Sequence, residues 1–286
     1  MRTITFPRNF KEWRTMTRAL LAQETPPHDV LWQSPDQGSL FHEEPPLTTT
    51  PSKTNVPKAF LKLAETVACH RSNEQWSLLY SLLWRLTRGE RHLLSMAHDP
   101  EVSRVQAMAK HISRDIHKMH AFVRFRKVGE TNEREQFIAW FEPDHRIVRL
   151  TAPFFRKRFA AMDWSILTPD ECVHWDGSKI HFSEGVDPSL APGHDELDDL
   201  WRTYYRSIFN PARLKTRAMQ AEMPRKYWKN LPEADLIPEL IASSERQTEE
   251  MISRPTSPVK PAPKNAYLEQ LKELEKNPET NPGLQS

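Results

Sequence analysis

The chain has 286 residues, and its 40 Lys/Arg against 38 Asp/Glu leave a net charge of only +2. That balance excludes a histone-like basic protein and an acidic tail protein, while the 38% hydrophobic content with 24 prolines is lean for a chain folded throughout. The 7 glycines stand singly and make neither GxGxxG nor GxxxxGK[ST], and the 2 cysteines exclude four-cysteine zinc, an iron–sulfur cluster and a disulfide framework. Residues 1–32 read as a short strand/helix unit, and 33–57 as a Pro/Thr-rich linker. A main domain is expected over 58–251. Within it Phe60, Leu63, Ala64 and Val67 follow helical spacing. The segment around Trp76, Leu79, Tyr80 and Leu83 is apolar almost all round, which predicts a helix central to the core. Asp99-Pro100-Glu101 is a helix start, with a capping Asp, Pro in the first turn and then an acid.

The alternation of Val123 and Phe125 with Arg124 and Arg126 predicts a strand over His120–Val128. Gln136–Phe141 is its expected partner, with Gly129–Arg134 as the turn. Trp164–Thr168, Cys172–Trp175 and Lys179–Phe182 are short strands, the last two joined through Asp176-Gly177. Trp201, Tyr204, Tyr205, Ile208 and Phe209 predict a helix stopped by Asn210-Pro211, and a last helix is expected from about Ala234 to Met251. The Pro-rich stretch 252–286 reads as a flexible tail. The expected class is α+β: helices around a small antiparallel sheet. No apolar run is long enough to span a membrane, and the chain reads as soluble and cytoplasmic.

Positive charge is segregated. Arg104–Lys127 holds seven Lys/Arg and only Asp115 as an acid; Trp201–Asn230 holds eight and only Glu222. At about 100° per residue, Val102, Val105, Ala109, Ile112, Ile116 and Met119 fall on one helix face. Arg104, Ala107, His111, Arg114 and Lys118 fall on the other, and Arg124 and Arg126 follow. Cations on one face suit a phosphate backbone, because each neutralised phosphate releases counterions. Arg213, Lys215, Arg217, Arg225, Lys226, Tyr227 and Lys229 mix charge with a ring able to stack on a base. The candidate catalytic group is His117, His120, Asp144 and His145, which would converge if the strands pair as a hairpin and would supply acid–base or metal chemistry. No metal signature such as HExxH is present, and no cofactor is expected.

The segments RDIHKMHAFVRFR (Arg114–Arg126), AWFEPDH (Ala139–His145), APFFRKRFAAMDWSILTP (Ala152–Pro169) and LWRTYYRSIFNPARL…MPRKYWKNLPEA (Leu200–Ala234) resemble a bacterial domain family of unknown function (DUF4130) described as DNA metabolism proteins. The resemblance runs from about Ala59 to Met251. It implies DNA as a ligand, and a radical-SAM DNA-repair protein and a UdgX-type uracil-DNA glycosylase as partners; it supplies no catalytic residues. Three readings follow: a DNA-binding accessory domain, a metal-assisted nuclease or base-lesion hydrolase, and a scaffold that binds protein only.

Overall fold

The computed structural model describes residues 1–33, 55–131, 134–190 and 222–243, with 202, 203, 219 and 246. β1 (Arg2–Thr5) pairs in parallel with β2 (Val30–Gln33), and α1 (Phe10–Ala22) makes the crossover between them. Asn9 starts α1 by accepting the Glu12 N–H at 2.9 Å. Phe6 stands edge-on to both Trp32 and Trp76, at 5.4 and 5.0 Å between ring centroids. This N-terminal unit thereby shares one apolar core with α2 (Lys58–Val67), α3 (Glu74–Thr87) and the first half of α4 (Pro100–Phe122). The all-round apolar pattern of α3 is used as expected: Trp76, Leu79, Tyr80, Leu82, Leu83 and Leu86 are all buried.

Asp99 caps α4 through its side chain, which accepts the Glu101 and Val102 N–H groups at 3.0 Å each. Its other oxygen takes Arg85 at 2.7 Å, and Arg85 also holds Glu90 and Glu101. Arg85, and after it the two backbone N–H groups, keep the Asp99 carboxyl below the usual carboxylate range. A carboxyl depressed in the fold stabilises above its unfolded pKa and loses that contribution as pH falls through its folded value. Asp99→Ala should therefore cost about 0.5–2 kcal/mol at neutral pH. The gap between variant and wild-type urea midpoints should narrow on acidification; a gap constant with pH would mean that the carboxylate charge contributes nothing.

α4 runs one turn further than the sequence suggested. His120, Ala121 and Phe122 are helical, Val123 turns the chain to extended backbone, and β3 begins only at Arg126 (Arg126–Thr131). Met119, fully buried, continues the apolar face of Val105 and Ile112 and holds that last turn down. Gly129, expected in the turn, lies within β3. A register shift between Lys127 and Gly129 leaves Val128 outside the ladder and 51% exposed.

The sheet is also larger than expected, and mixed. It has five strands in the order β3-β4-β5-β6-β7, with β4 (Arg134–Trp140), β5 (Asp163–Leu167), β6 (Glu171–Trp175) and β7 (Ile180–Glu184). β4 and β5 are parallel; the other pairs are antiparallel. The parallel pair needs a crossover, supplied by α5 (Val148–Arg158), a helix the sequence reading did not assign. α5 carries Pro153 within it but buries Val148, Thr151, Ala152 and Phe155. With the second half of α4 and the sheet face of Ala139, Trp164, Ile166 and Val173 it forms a second core, so α4 is the spine shared by both.

The turn at Asp176-Gly177 is as expected, with Gly177 at φ +84°. Pro232–Leu236 is a 3-10 turn that runs on as α-helix through residue 243, two residues ahead of the expected start at Ala234. Apart from Arg202 and Thr203, the helix expected over Trp201–Phe209 lies outside the described residues, as do most of the 33–57 linker and the whole 252–286 tail. Among the described residues no helix is long and apolar enough to cross a membrane.

Candidate nucleic-acid interface

Four segments meet along one side of α4: the turn between α2 and α3, the loop after β4, the 3-10 turn Arg225–Asn230 and α4 itself. The stitching is local and polar. Arg146 donates its N–H to the Cys69 carbonyl at 2.9 Å, and Arg71 Nε donates to the Asp144 carbonyl at 3.0 Å. The Arg71 guanidinium also pairs with Asp170. From α4, the buried Asp115 reaches the loop and accepts the His145 N–H at 2.8 Å. Burial raises the Asp115 pKa, and the backbone N–H groups of His145 and Asp144 oppose that shift. Asp115 is thus the buried polar anchor that fixes where Asp144 and His145 sit.

On this anchor stands a row of imidazoles. His70 stacks on His145 at 4.4 Å between centroids, and His111 lies 6.3 Å from His70. His145 Nδ1 accepts the Arg71 N–H at 3.3 Å, and His70 Nδ1 accepts the Ser72 N–H at 3.2 Å. Burial lowers the pKa of both rings. The neighbouring imidazole of His145 adds to this for His70, while Asp144 works against it for His145. Both are therefore neutral at pH 7. His70 and Arg71 carried no signal in the sequence, since nothing in their spacing relates them to His145. Asp115 was visible only as the lone acid among cations.

His120 does not join this cluster, and His117 is exposed on α4. His120 stacks face to face on Phe154 at 3.8 Å and stands edge-on to Phe155, because position 120 on α4 faces α5. The charges that His145 feels come from Asp144, His111, Arg71 and Lys226. Among the described residues no group of three His, Cys, Asp or Glu side chains is placed to hold a metal ion.

The predicted phosphate contacts divide in three. Arg114 is exposed and Lys118 partly so, and neither makes an ion pair among the described residues. Arg225 is exposed, with its guanidinium 5.7 Å from the Trp228 ring centroid. A second set is engaged within the protein. Arg104 pairs with Glu74 at 2.5 Å, Lys226 with Asp144 and Lys229 with Glu142 at 2.6 Å. Arg124 is the clearest correction: it is 13% exposed and pairs at 2.7 Å with Glu233, itself 3% exposed. Its other guanidinium nitrogen donates to the Ala121 carbonyl at the end of α4, satisfying a terminal acceptor. Arg126 is half-buried in β3 and is also held by protein contacts. Arg213, Lys215 and Arg217 lie outside the described residues.

Tyr227 is likewise not a base-stacking ring. It is 1% exposed and sandwiched between Phe141 at 5.0 Å and Phe122 at 5.5 Å. Burial, and after it the Asp115 and Asp144 charges, push its phenol pKa up. A turn covered by lysines can bury a tyrosine when flanking rings close on it, and spacing alone does not reveal those rings.

Beside this junction, a cleft of about 770 Å³ opens between the start of α1, the end of α2 and α5. Its cations Arg8, Lys11, Arg146 and Arg149 are matched by Glu12, Glu65, Asp170 and Glu171. Cys69 lines it, and burial with Glu65 pushes its thiol up to about 12, so the thiolate that reactivity needs is scarce.

Searches of curated proteins and of solved structures returned no match. Residues 73–233 match a family described as "Domain of unknown function (DUF4130)", a span that takes in α3, α4, the sheet, His145 and the Arg225–Asn230 turn, while His70 and Arg71 precede it. With more than half of its length matched, the chain belongs to the DUF4130 family.

Proposed function

We propose that this protein is a nucleic-acid-binding accessory domain in DNA metabolism, working in the cytoplasm with a base-processing partner of the uracil-DNA glycosylase or radical-SAM type. The observation that carries the binding half is the outer face of α4. Among the described residues Arg114 and Lys118 stand there without carboxylate partners, although the chain as a whole is nearly neutral. Cations that no internal acid neutralises gain most from releasing the counterions of a phosphate backbone. The partner half rests on the motif resemblance alone.

The test is a fluorescence-anisotropy titration on single-stranded, duplex and uracil-containing oligonucleotides. The expected result is salt-sensitive binding with Kd of about 1–100 μM near physiological salt, with little dependence on base sequence. No binding to any of the three at low salt would overturn the reading in favour of a protein-only scaffold. The stacking of His120 on Phe154 favours the nucleic-acid-binding reading over the hydrolase one, which needs His120 beside Asp144 and His145.

A further inference from the structure

Helical spacing puts Arg104, His111 and Lys118, each seven residues apart, on one stripe of α4 with Arg114 at its flank. His111 is the member of that stripe nearest His70, so the stacked pair His70–His145 sits midway along the cationic line. Both rings have their Nδ1 tied to backbone N–H groups of the same turn, Arg71 and Ser72. An Nδ1 that accepts a hydrogen bond carries no proton, which fixes the neutral tautomer with its proton on Nε2. Among the described residues neither Nε2 has a hydrogen-bond partner, and neither is among the buried unpaired atoms, which on α4 include His120 Nε2. Two N–H donors are therefore left open on a pair of stacked, half-buried rings whose centroids lie 4.4 Å apart.

We propose that His70 and His145 form a two-donor phosphate contact, in which both imidazoles bind a phosphodiester oxygen as neutral Nε2–H groups. This rests on the nucleic-acid reading above and names the ligand chemistry of the same surface. The groups around the pair suit it. His145 faces Asp144 on its own loop, Asp115 and His111 on α4, Arg71 and His70 on the α2–α3 turn, and Lys226 on the 3-10 turn. His70 faces His111 and Arg104 on α4 and Glu74 on α3. The carboxylates whose charges act on the rings are paired, Asp144 with Lys226 and Glu74 with Arg104. Adding a proton at either Nδ1 would break a backbone hydrogen bond, so the rings donate without becoming cations.

The test uses the full chain with two double variants, His70→Ala/His145→Ala and His70→Gln/His145→Gln. Glutamine places an amide N–H near the Nε2 position; alanine does not. Both pairs lose the Nδ1 acceptors, so a folding defect would appear in both. On a labelled single-stranded oligonucleotide the alanine pair should bind at least about tenfold more weakly, since donors to a charged acceptor are lost. The glutamine pair should stay within about threefold, and the salt slope should not change in either, because neutral donors release no counterions. Wild-type affinity in the alanine pair would overturn the proposal. So would a slope lowered by about 0.7 per ring, the mark of an imidazolium contact.

A second arm titrates inorganic phosphate into ¹⁵N-histidine-labelled protein. Perturbation of both Nε2–H signals only at far higher concentration than the oligonucleotide needs assigns the contact to nucleic acid. Equal potency assigns it to free phosphate and overturns the nucleic-acid assignment. If the wild type binds no oligonucleotide, the functional reading fails on its own. The two-donor contact then survives only if inorganic phosphate perturbs both rings, and falls if it does not.

Discussion

Arg124→Met should lower stability by about 3–5 kcal/mol, more than any exposed cation in the chain could. Arg124 and Glu233 are 13% and 3% exposed, and both guanidinium atoms Nε and Nη2 donate to the same Glu233 oxygen, at 3.3 and 2.7 Å. Removing the arginine strands a carboxylate in the second core, where its remaining oxygen already lacks a partner. It also frees the Ala121 carbonyl at the end of α4. The cost is that of an uncompensated buried charge, so the double variant Arg124→Met/Glu233→Leu should recover most of it. Urea unfolding of the three proteins checks this. A loss under about 1 kcal/mol in the single variant would mean that the pair is solvated. A drop in nucleic-acid affinity without loss of stability would return Arg124 to the binding surface.

Arg114→Glu/Lys118→Glu should abolish most nucleic-acid binding while leaving the fold intact. Both side chains lie on the outer face of α4, away from Val105, Ile112 and Met119, so reversal touches neither core. Substitutions at such surface positions usually stay within about 0.5 kcal/mol of wild type. The loss should be uniform across sequences, because phosphate contacts carry no base information. If binding is merely halved, the principal phosphate contacts lie elsewhere.

The stripe on α4 could be read from the sequence because it depends only on the helical period, which the Asp99-Pro100 start and the buried Val/Ile/Met positions make unambiguous. The same holds for α3, whose apolar residues run almost all round the helix and bury Trp76, Leu79, Tyr80, Leu82, Leu83 and Leu86. α5 was not legible, since Pro153 interrupts the helical propensity of its segment while the fold pays no more than one backbone hydrogen bond for it. Without α5 there is no crossover, and without a crossover β4 and β5 cannot be recognised as parallel. The site was legible in its cations and not in their partners. Glu74 lies 30 residues from Arg104, Glu233 lies 109 from Arg124, and Asp144 lies 82 from Lys226. Which cations are neutralised inside the protein is a property of tertiary contacts, so a count of charge along the chain overstates the binding surface. His70 was missed for the same reason: its partner His145 is set against it by Asp115, which no local pattern connects to either.

The salt dependence of single-stranded oligonucleotide binding, measured on the wild type and on Arg114→Glu/Lys118→Glu, tests the central claim most directly. With Arg114, Lys118 and Arg225 as the phosphate contacts, log K should fall with log[salt] at a slope of about −2, at about 0.7 per phosphate. The variant should retain a slope of about −0.7 and bind far more weakly at every salt concentration. Equal slopes and equal affinities for the two proteins would contradict the account.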